Sequence, residues 1–272
     1  MYERELMAGL AAVGAASRLI VDEYARFQAI PDAPADITTE TDSKVQEIIL
    51  QALVKAFPGD ALCAEEDTPT IKNAATSGDR MWIVDPIDGT RGFAQKNGEF
   101  SIMVAFIENG QIGLGIVAQP AAQRLTWATR GGGCWRRDGV GMEPMRCRVS
   151  NVGALDQATL IQSRSRDPNE PSNWIIAMRP GKVVESHSAG IKLAQVARGE
   201  ADLYLNTYAA FHDWDICAGH ILVTEAGGTV TGLRGQTLVY GIPEAWQHCG
   251  LLATNGSLHS ESLRRLGSAQ GV

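Results

Sequence analysis

The nonapeptide Trp82-Ile83-Val84-Asp85-Pro86-Ile87-Asp88-Gly89-Thr90 narrows what this chain can fold into more than any other stretch. An apolar run fit for a buried strand ends in two aspartates set three apart around a proline, and then in a glycine. Pro86 fixes φ and stiffens the turn, while Gly89 lets the backbone approach a ligand, so both carboxylates can point into one pocket beyond the strand end. Hard oxygen donors of this kind select magnesium or manganese over metals that prefer soft ligands. The amides near Gly89 and Thr90 would open a helical turn, where unpaired N–H groups and the helix dipole favour a phosphate. A metal site and an anion site would then adjoin. Taken alone, Asp-Pro and Asp-Gly are also common surface turns, so the rest of the chain has to decide.

Composition sets the kind of molecule that can carry such a site. With 272 residues, 44% of them hydrophobic and 20% charged, the chain has apolar material for one large core or two fused ones. Apolar runs such as Ile102 to Ile107 and Ile216 to Val223 stop far short of the roughly 20 residues of a membrane span, so no membrane partner is expected. The first residues, MYERELM, hold acids and no basic region leading into an apolar stretch. No secretory signal is expected from them, and the protein is placed in the cytoplasm. The five cysteines, Cys63, Cys134, Cys147, Cys217 and Cys249, include no C-x-x-C pair. They suit reduced, mostly buried thiols without a functional role better than a disulfide frame or a zinc site. A net charge of -7 argues against binding a nucleic-acid polymer. It leaves room for a small anionic substrate, because bound divalent cations reverse the local field.

Periodicity predicts the elements around the nonapeptide. Leu6, Leu10, Val13, Ser17, Ile20 and Tyr24 form the stripe of a long helix. Thr39 to Asp42 resembles a capping sequence for a second helix that carries Val45, Ile48, Ile49, Ala52, Leu53 and Ala56 up to Phe57-Pro58-Gly59, with Asp42 in or beside its first turn. Short strands at 61–64 and 81–84, then 101–107, 112–119 and 124–128 with turn signals between them, read as an antiparallel meander. Beyond it, strands at 159–162, 201–205 and 229–231 alternate with helices at 188–196 and 214–226, and a boundary falls near Cys147 to Asn151. This divides the chain into an α+β half over 1–148 with most of the acidic candidates and an α/β half over 149–272 that completes the site.

Two more acidic points matter. Leu62-Cys63-Ala64-Glu65-Glu66-Asp67 ends a short apolar run in carboxylates, and Asp213-Trp214-Asp215 opens the helix that ends at Gly227-Gly228. Each has an ordinary reading by itself: Asp213 as an N-cap, Glu65 to Asp67 as a solvated loop. Together, Glu65-Glu66, Asp85-Pro86-Ile87-Asp88-Gly89-Thr90, Trp214-Asp215, Ala218-Gly219 and Glu225-Ala226-Gly227-Gly228 resemble the inositol monophosphatase superfamily, in order and over almost the whole chain. The resemblance implies an α/β fold of the inositol monophosphatase and sugar phosphatase type, a layered α/β/α/β/α sandwich with the site between its halves. It implies that Glu65, Asp85, the carbonyl of Ile87, Asp88 and Asp215 hold two or three Mg2+ ions, with Mn2+ able to substitute. Gly89 and Thr90 would hold the phosphate. Glu65, Thr90 and Asp42 would be catalytic, the Thr90 hydroxyl, paired with Asp42, helping to deprotonate a metal-bound water. Crowded carboxylates repel one another or take up protons unless cations screen them, so the acids need the metals as much as the reaction does. Replacing Asp88 with Asn is expected to abolish turnover and leave the fold intact. Lithium inhibition and a homodimer are implied by the resemblance as well.

Within that family, Arg91 to Ser101, and above all Asn97-Gly98-Glu99-Phe100-Ser101, looks like the 3'(2'),5'-bisphosphate nucleotidase branch, whose reaction takes adenosine 3',5'-bisphosphate to AMP. The stretch Leu205 to Asp213 departs from the Gly-Pro-Thr segment usual there, which keeps inositol monophosphatase, sugar bisphosphatase and histidinol-phosphatase activities open. Ser188, Ala189 and Lys192 resemble a substrate-facing helix start; Lys192 could meet a second phosphate, although a helix lysine is more often solvated. A catalytically silent metabolite-binding relative would be expected to lack one of these costly acids, yet Asp42, Glu65, Asp85, Asp88, Thr90 and Asp215 are all present. His187, His212 and His220 lack metal-pair spacing and read as core or rim residues. Gly131 to Gly133 reads as a hairpin or loop, and Trp135 as a packing residue.

Overall fold

The alternation of apolar residues along the central strands decides how this chain is layered. A computed structural model describes residues 1–164, 172–208, 211–242 and 246–269. Helices α1 (Glu3–Arg26) and α2 (Glu40–Ala56) precede β1 (Ala61–Ala64), α3 (Pro69–Lys72), β2 (Arg80–Asp88) and α4 (Thr90–Ala94). Strands β3 (Ser101–Glu108), β4 (Gln111–Gln119), β5 (Arg124–Thr129), β6 (Gly133–Asp138) and β7 (Met145–Arg146) complete a seven-stranded sheet in sequence order. The β1–β2 pair is parallel and every later pair antiparallel, so the expected meander is present and extends two strands further than the periodicity shows.

Along β2 and β3, Trp82, Val84, Ile102, Val104 and Phe106 face α1 and α2, while Met81, Ile83, Met103, Ala105 and Ile107 face the opposite side. Both faces are apolar because both are covered, which is why these strands read as continuous hydrophobic runs. Each large side chain so enclosed contributes roughly 1.5–3 kcal/mol relative to exposure.

The second half supplies β8 (Thr159–Gln162), α5 (Asn173–Met178), β9 (Lys182–Glu185), α6 (Ala189–Ala197), β10 (Leu203–Asn206), β11 (Phe211–His212), α7 (Asp213–Glu225), β12 (Thr229–Thr231), β13 (Trp246–Gln247), β14 (Leu251–Thr254) and α8 (His259–Ala269). Five of these strands form a mixed sheet in the order β12-β14-β10-β8-β9, and β11 pairs with β13 in a separate two-stranded ribbon. Helices α6 and α7 lie between the two sheets, and α5 and α8 cover the outer face of the second through Met178 and Leu266. The layers therefore run α1 and α2, sheet, α6 and α7, sheet, α5 and α8, the α/β/α/β/α arrangement the resemblance implies. The first sheet ends at Arg146 and the second begins at Thr159, while the largest core cluster draws side chains from both. At Gly115 a Cβ would stand 2.4 Å from the carbonyl oxygen of Ala218, so glycine lets α7 ride directly on β4. That seating fixes where the first turn of α7 delivers Asp215.

All five cysteines are free thiols. No helix among the described residues is long and apolar enough to cross a membrane.

Candidate active site

Strand pairing creates the acidic cluster. The parallel register Ala64↔Val84 brings the ends of β1 and β2 side by side, and the amide of Glu65 donates to the carbonyl of Val84 at 3.3 Å. Glu65 and Asp85 thus leave adjacent strand ends together. Between Asp85 and Asp88 the pairing with β3 slips in a bulge around Pro86, and Asp88 regains register opposite Ser101. Asp215 comes from the other half, in the first turn of α7.

Burial is uneven here: Asp85 and Asp88 are enclosed, Asp215 is partly covered, and Glu65 is exposed at its strand end. Asp85 is 2% exposed and its Oδ1 is enclosed with no hydrogen-bond partner. Burial first, then the charges of Glu65, Asp88 and Asp215, push the Asp85 carboxyl well above the ordinary range. Burial and Asp215 push Glu65 up to about 8. Burial is also the main cause that pushes Asp215 up to about 7. Crowded oxygen donors of this kind repel one another, and a cation among them would relieve the repulsion. Among the described residues no three acidic, His or Cys side chains converge on one point as a finished metal cage. Hydrogen bonds show why: Asp88 and Asp215 are partly turned toward the protein.

Asp88 is the most engaged of the acids. Its Oδ1 accepts from the Ala189 amide at 3.0 Å, and its Oδ2 from the Gly190 amide at 2.7 Å, the Ser101 hydroxyl at 3.1 Å and the Ser188 hydroxyl. It ties the first half of the chain to the start of α6. Ser188 is fully buried, and its Oγ also accepts from the Ile191 amide at 3.0 Å. Ser188 and Ala189 are therefore committed to positioning Asp88, and the expectation that Asp88→Asn leaves the fold intact has to be revised, since the amide would place N–H donors against N–H and O–H donors.

Lys192 also departs from both readings offered for it. It is 1% exposed, and its ammonium donates to the carbonyls of Ser186 at 2.9 Å and His187 at 3.2 Å. Neither solvated nor presented to a ligand, it fastens the turn that leads into Ser188. Burial pulls its pKa down to about 8.

Thr39, Asp42 and Thr90 form a connected hydrogen-bond set beside the acids. Thr39 caps α2 in a reciprocal capping box with Asp42, whose Oδ2 accepts from the Thr39 amide at 2.9 Å and the Thr39 hydroxyl at 2.6 Å. Asp42 Oδ1 accepts from the Thr90 hydroxyl at 3.0 Å, and the carbonyl of Ile87 lies 2.9 Å from the same hydroxyl. The Thr90 proton is thus directed at acceptors and its lone pairs are left for an incoming donor. Gly89 caps α4 at φ 86, and a Cβ there would stand 2.7 Å from the carbonyl oxygen of Glu99 and 3.1 Å from Ser188. Only glycine fits this turn.

The expected N-cap at Asp213 is replaced by His212. Asp213 instead accepts from the Gly241 amide and from Gln247 Nε2, each at 2.7 Å, while Asp215 Oδ2 reaches back to the His212 amide at 2.7 Å. Of the Leu205 to Asp213 stretch, Ala209 and Ala210 lie outside the described residues. At the rim, Glu99 accepts from Arg164 Nε at 2.8 Å and from the His187 amide at 3.1 Å, and Arg91 carries a buried Nε with no partner. The bond from Ser101 to Asp88 and the pairing of Arg164 with Glu99 are not legible in the sequence; only the register opposite Asp88 singles out Ser101. Gly131 and Gly133 form the β5–β6 turn, both amides donating to Glu225.

The sequence pattern of the inositol monophosphatase family matches residues 3–270, and the chain belongs to that family. Its members hydrolyse phosphoric monoesters of small metabolites and are generally metal-dependent; this chain is a phosphatase of that family. A histidinol-phosphatase of Mycobacterium tuberculosis is 33% identical over 98% of this chain and 99% of its own. The 3'(2'),5'-bisphosphate nucleotidase CysQ of Salmonella typhimurium is 31% identical over 85% of this chain and 89% of its own. Among solved structures, an IMPase of Thermotoga maritima superposes with a TM-score of 0.80 at 29% identity, covering 98% of both chains.

Proposed function

We propose that this chain is a magnesium-dependent phosphomonoesterase whose substrate is a nucleoside 3',5'-bisphosphate, adenosine 3',5'-bisphosphate going to AMP. The observation that carries the metal assignment is the unpartnered, enclosed Oδ1 of Asp85 among acids that burial and mutual repulsion push upward. Glu65, Asp85, Asp88, Asp215 and the Ile87 carbonyl would hold the cations, and their all-oxygen set suits Mg2+, with Mn2+ as a substitute. When bound, the cations supply an acidified water, neutralise the phosphate and stabilise the departing oxygen.

The chain's own residues do the rest. Thr90, oriented by Asp42 and the Ile87 carbonyl, accepts a hydrogen bond from the attacking water and aligns it. Gly89 admits the phosphate where any side chain would collide with Glu99 or Ser188. Asp88, fixed by four donors, couples the position of α6 to the site.

Two observations support a substrate with more than one anionic group: the likeness to the nucleotidase CysQ, and the Arg91 guanidinium with its unpartnered Nε. A histidinol phosphate substrate is favoured by the similarity to the mycobacterial enzyme over nearly the whole chain. The deciding assay is phosphate release from adenosine 3',5'-bisphosphate, histidinol phosphate and inositol 1-phosphate across a concentration range. A higher kcat/KM on the bisphosphate supports the nucleotidase reading, and preference for either of the others replaces it.

A further inference from the structure

Beside Asp215 the protein stacks rings for which the phosphatase chemistry has no use. In the ribbon, the pairing His212↔Trp246 puts these two side chains on one face. Two residues further along, His248 falls on the same side. His212 lies flat on Trp214, with ring centroids 4.1 Å apart and planes at 7°, and its other neighbour is Trp246 at 3.8 Å and 42°. The Trp246 ring is in turn parallel to His248, at 6.0 Å and 7°. The inner end of this row is held to the acidic cluster, because the His212 amide donates to Asp215 Oδ2 and its Nδ1 is 3.8 Å from the same oxygen. The outer end is exposed at His248, and Trp214 and Trp246 are only partly covered.

A ribbon of two-residue strands gains little from ladder hydrogen bonds, and rings that served only to hold it would be expected to bury themselves. These run outward from a carboxylate of the site to solvent instead. Flat, partly exposed aromatic surface binds other planar π-systems, at roughly 1–3 kcal/mol for each stacked base, and offers little to a polyol whose hydroxyls need directed partners.

We infer that the His212–Trp246–His248 row is a stacking platform for a heteroaromatic ring on the leaving group, so that the preferred substrates are phosphate esters bearing a purine or an imidazole and not sugar or polyol phosphates. The inference rests on the phosphatase reading and adds the specificity determinant, with Trp246 at its centre.

The test uses the full chain with magnesium and compares kcat/KM for adenosine 3',5'-bisphosphate and histidinol phosphate with inositol 1-phosphate and glycerol 2-phosphate, in wild type, Trp246→Leu and Trp246→Phe. The ratio of heteroaromatic to polyol efficiency should exceed ten in the wild type. It should fall about tenfold in Trp246→Leu, mainly through KM, and recover in Trp246→Phe. The two heteroaromatic esters separate a purine platform from an imidazole one. If Trp246→Leu lowers all substrates in proportion, or the wild type favours polyol phosphates, the platform is overturned while the phosphatase reading stands. If no ester is hydrolysed, the phosphatase reading fails on its own. Quenching of tryptophan fluorescence by adenosine, present in wild type and weakened in Trp246→Leu, then supports the platform, and its absence in wild type overturns it.

Discussion

Replacing Asp85 with Asn should raise the stability of the metal-free protein while removing its response to magnesium. The carboxyl is enclosed, one of its oxygens has no partner, and burial with three neighbouring acids pushes its pKa upward. An acid raised in the folded state is best tolerated at low pH, where it is protonated in folded and unfolded chains alike. Stability is then lost as pH rises from the unfolded carboxylate range toward the folded value. For Glu65 and Asp215, pushed up to about 8 and about 7, that window closes near pH 8. Asn removes the charge, and its amide returns part of the gain by needing partners of its own. A net gain of about 1–2 kcal/mol at pH 8 is expected, or about 2–6 °C in Tm for a chain of this size. With magnesium at about a hundred times its Kd the wild type should gain about 2.7 kcal/mol, whereas the variant should gain almost nothing. Thermal melts at pH 8 in EDTA and in magnesium read both effects, and the order of the two proteins should invert between the conditions. An Asp85→Asn protein that melts lower in EDTA yet keeps the full magnesium shift would refute the reasoning.

Asp88→Asn should abolish turnover and also lower Tm, because an amide replaces the oxygen that receives N–H and O–H donors from α6 and Ser101; a loss of about 1–3 kcal/mol is expected, and an unchanged melt would remove Asp88 from its linking role. Thr90→Ala should lower kcat about a hundredfold or more with a smaller change in KM, and Thr90→Ser should recover most of it, since only the hydroxyl between Asp42 and Ile87 is needed. His220, largely enclosed and bonded at Nδ1 to the Tyr240 hydroxyl at 2.8 Å, is pulled down to about 4 by burial. The fold prefers its neutral form, so stability is full above the unfolded value near 6.5 and falls by up to about 3 kcal/mol as pH drops toward 4. In His220→Gln the difference between melts at pH 7 and pH 4.5 should shrink, and an unchanged difference would locate the acid sensitivity elsewhere.

Local signals reached far into this fold because its main strands and helices are long enough to carry a period. The stripe through Val13 and Ile20 marks α1, the capping box places Asp42 in the first turn of α2, and the run into Asp85-Pro86-Ile87-Asp88 ends β2 where both faces of the sheet are still covered. Relations that depend on distant pairing stayed hidden. Nothing around Asp88 tells that the amides of Ala189 and Gly190, a hundred residues on, will close on its carboxylate. Lys192 looked like a surface lysine because helix amphipathicity assumes a solvent side, and α6, packed between two sheets, has almost none. The β11–β13 ribbon was missed because strands of two residues are too short to show alternation. Asp213 has the residue type of a cap, whereas the geometry gives the cap to His212 and turns Asp213 toward Gly241 and Gln247.

Phosphate release by EDTA-stripped protein, titrated with magnesium in wild type and in Asp215→Asn, bears most directly on the acidic cluster as the catalytic centre. Negligible release without magnesium, saturable activation in the wild type and loss of that activation in the variant are the expected results. Release that proceeds equally in EDTA, or an Asp215→Asn protein activated by magnesium as the wild type is, would contradict them.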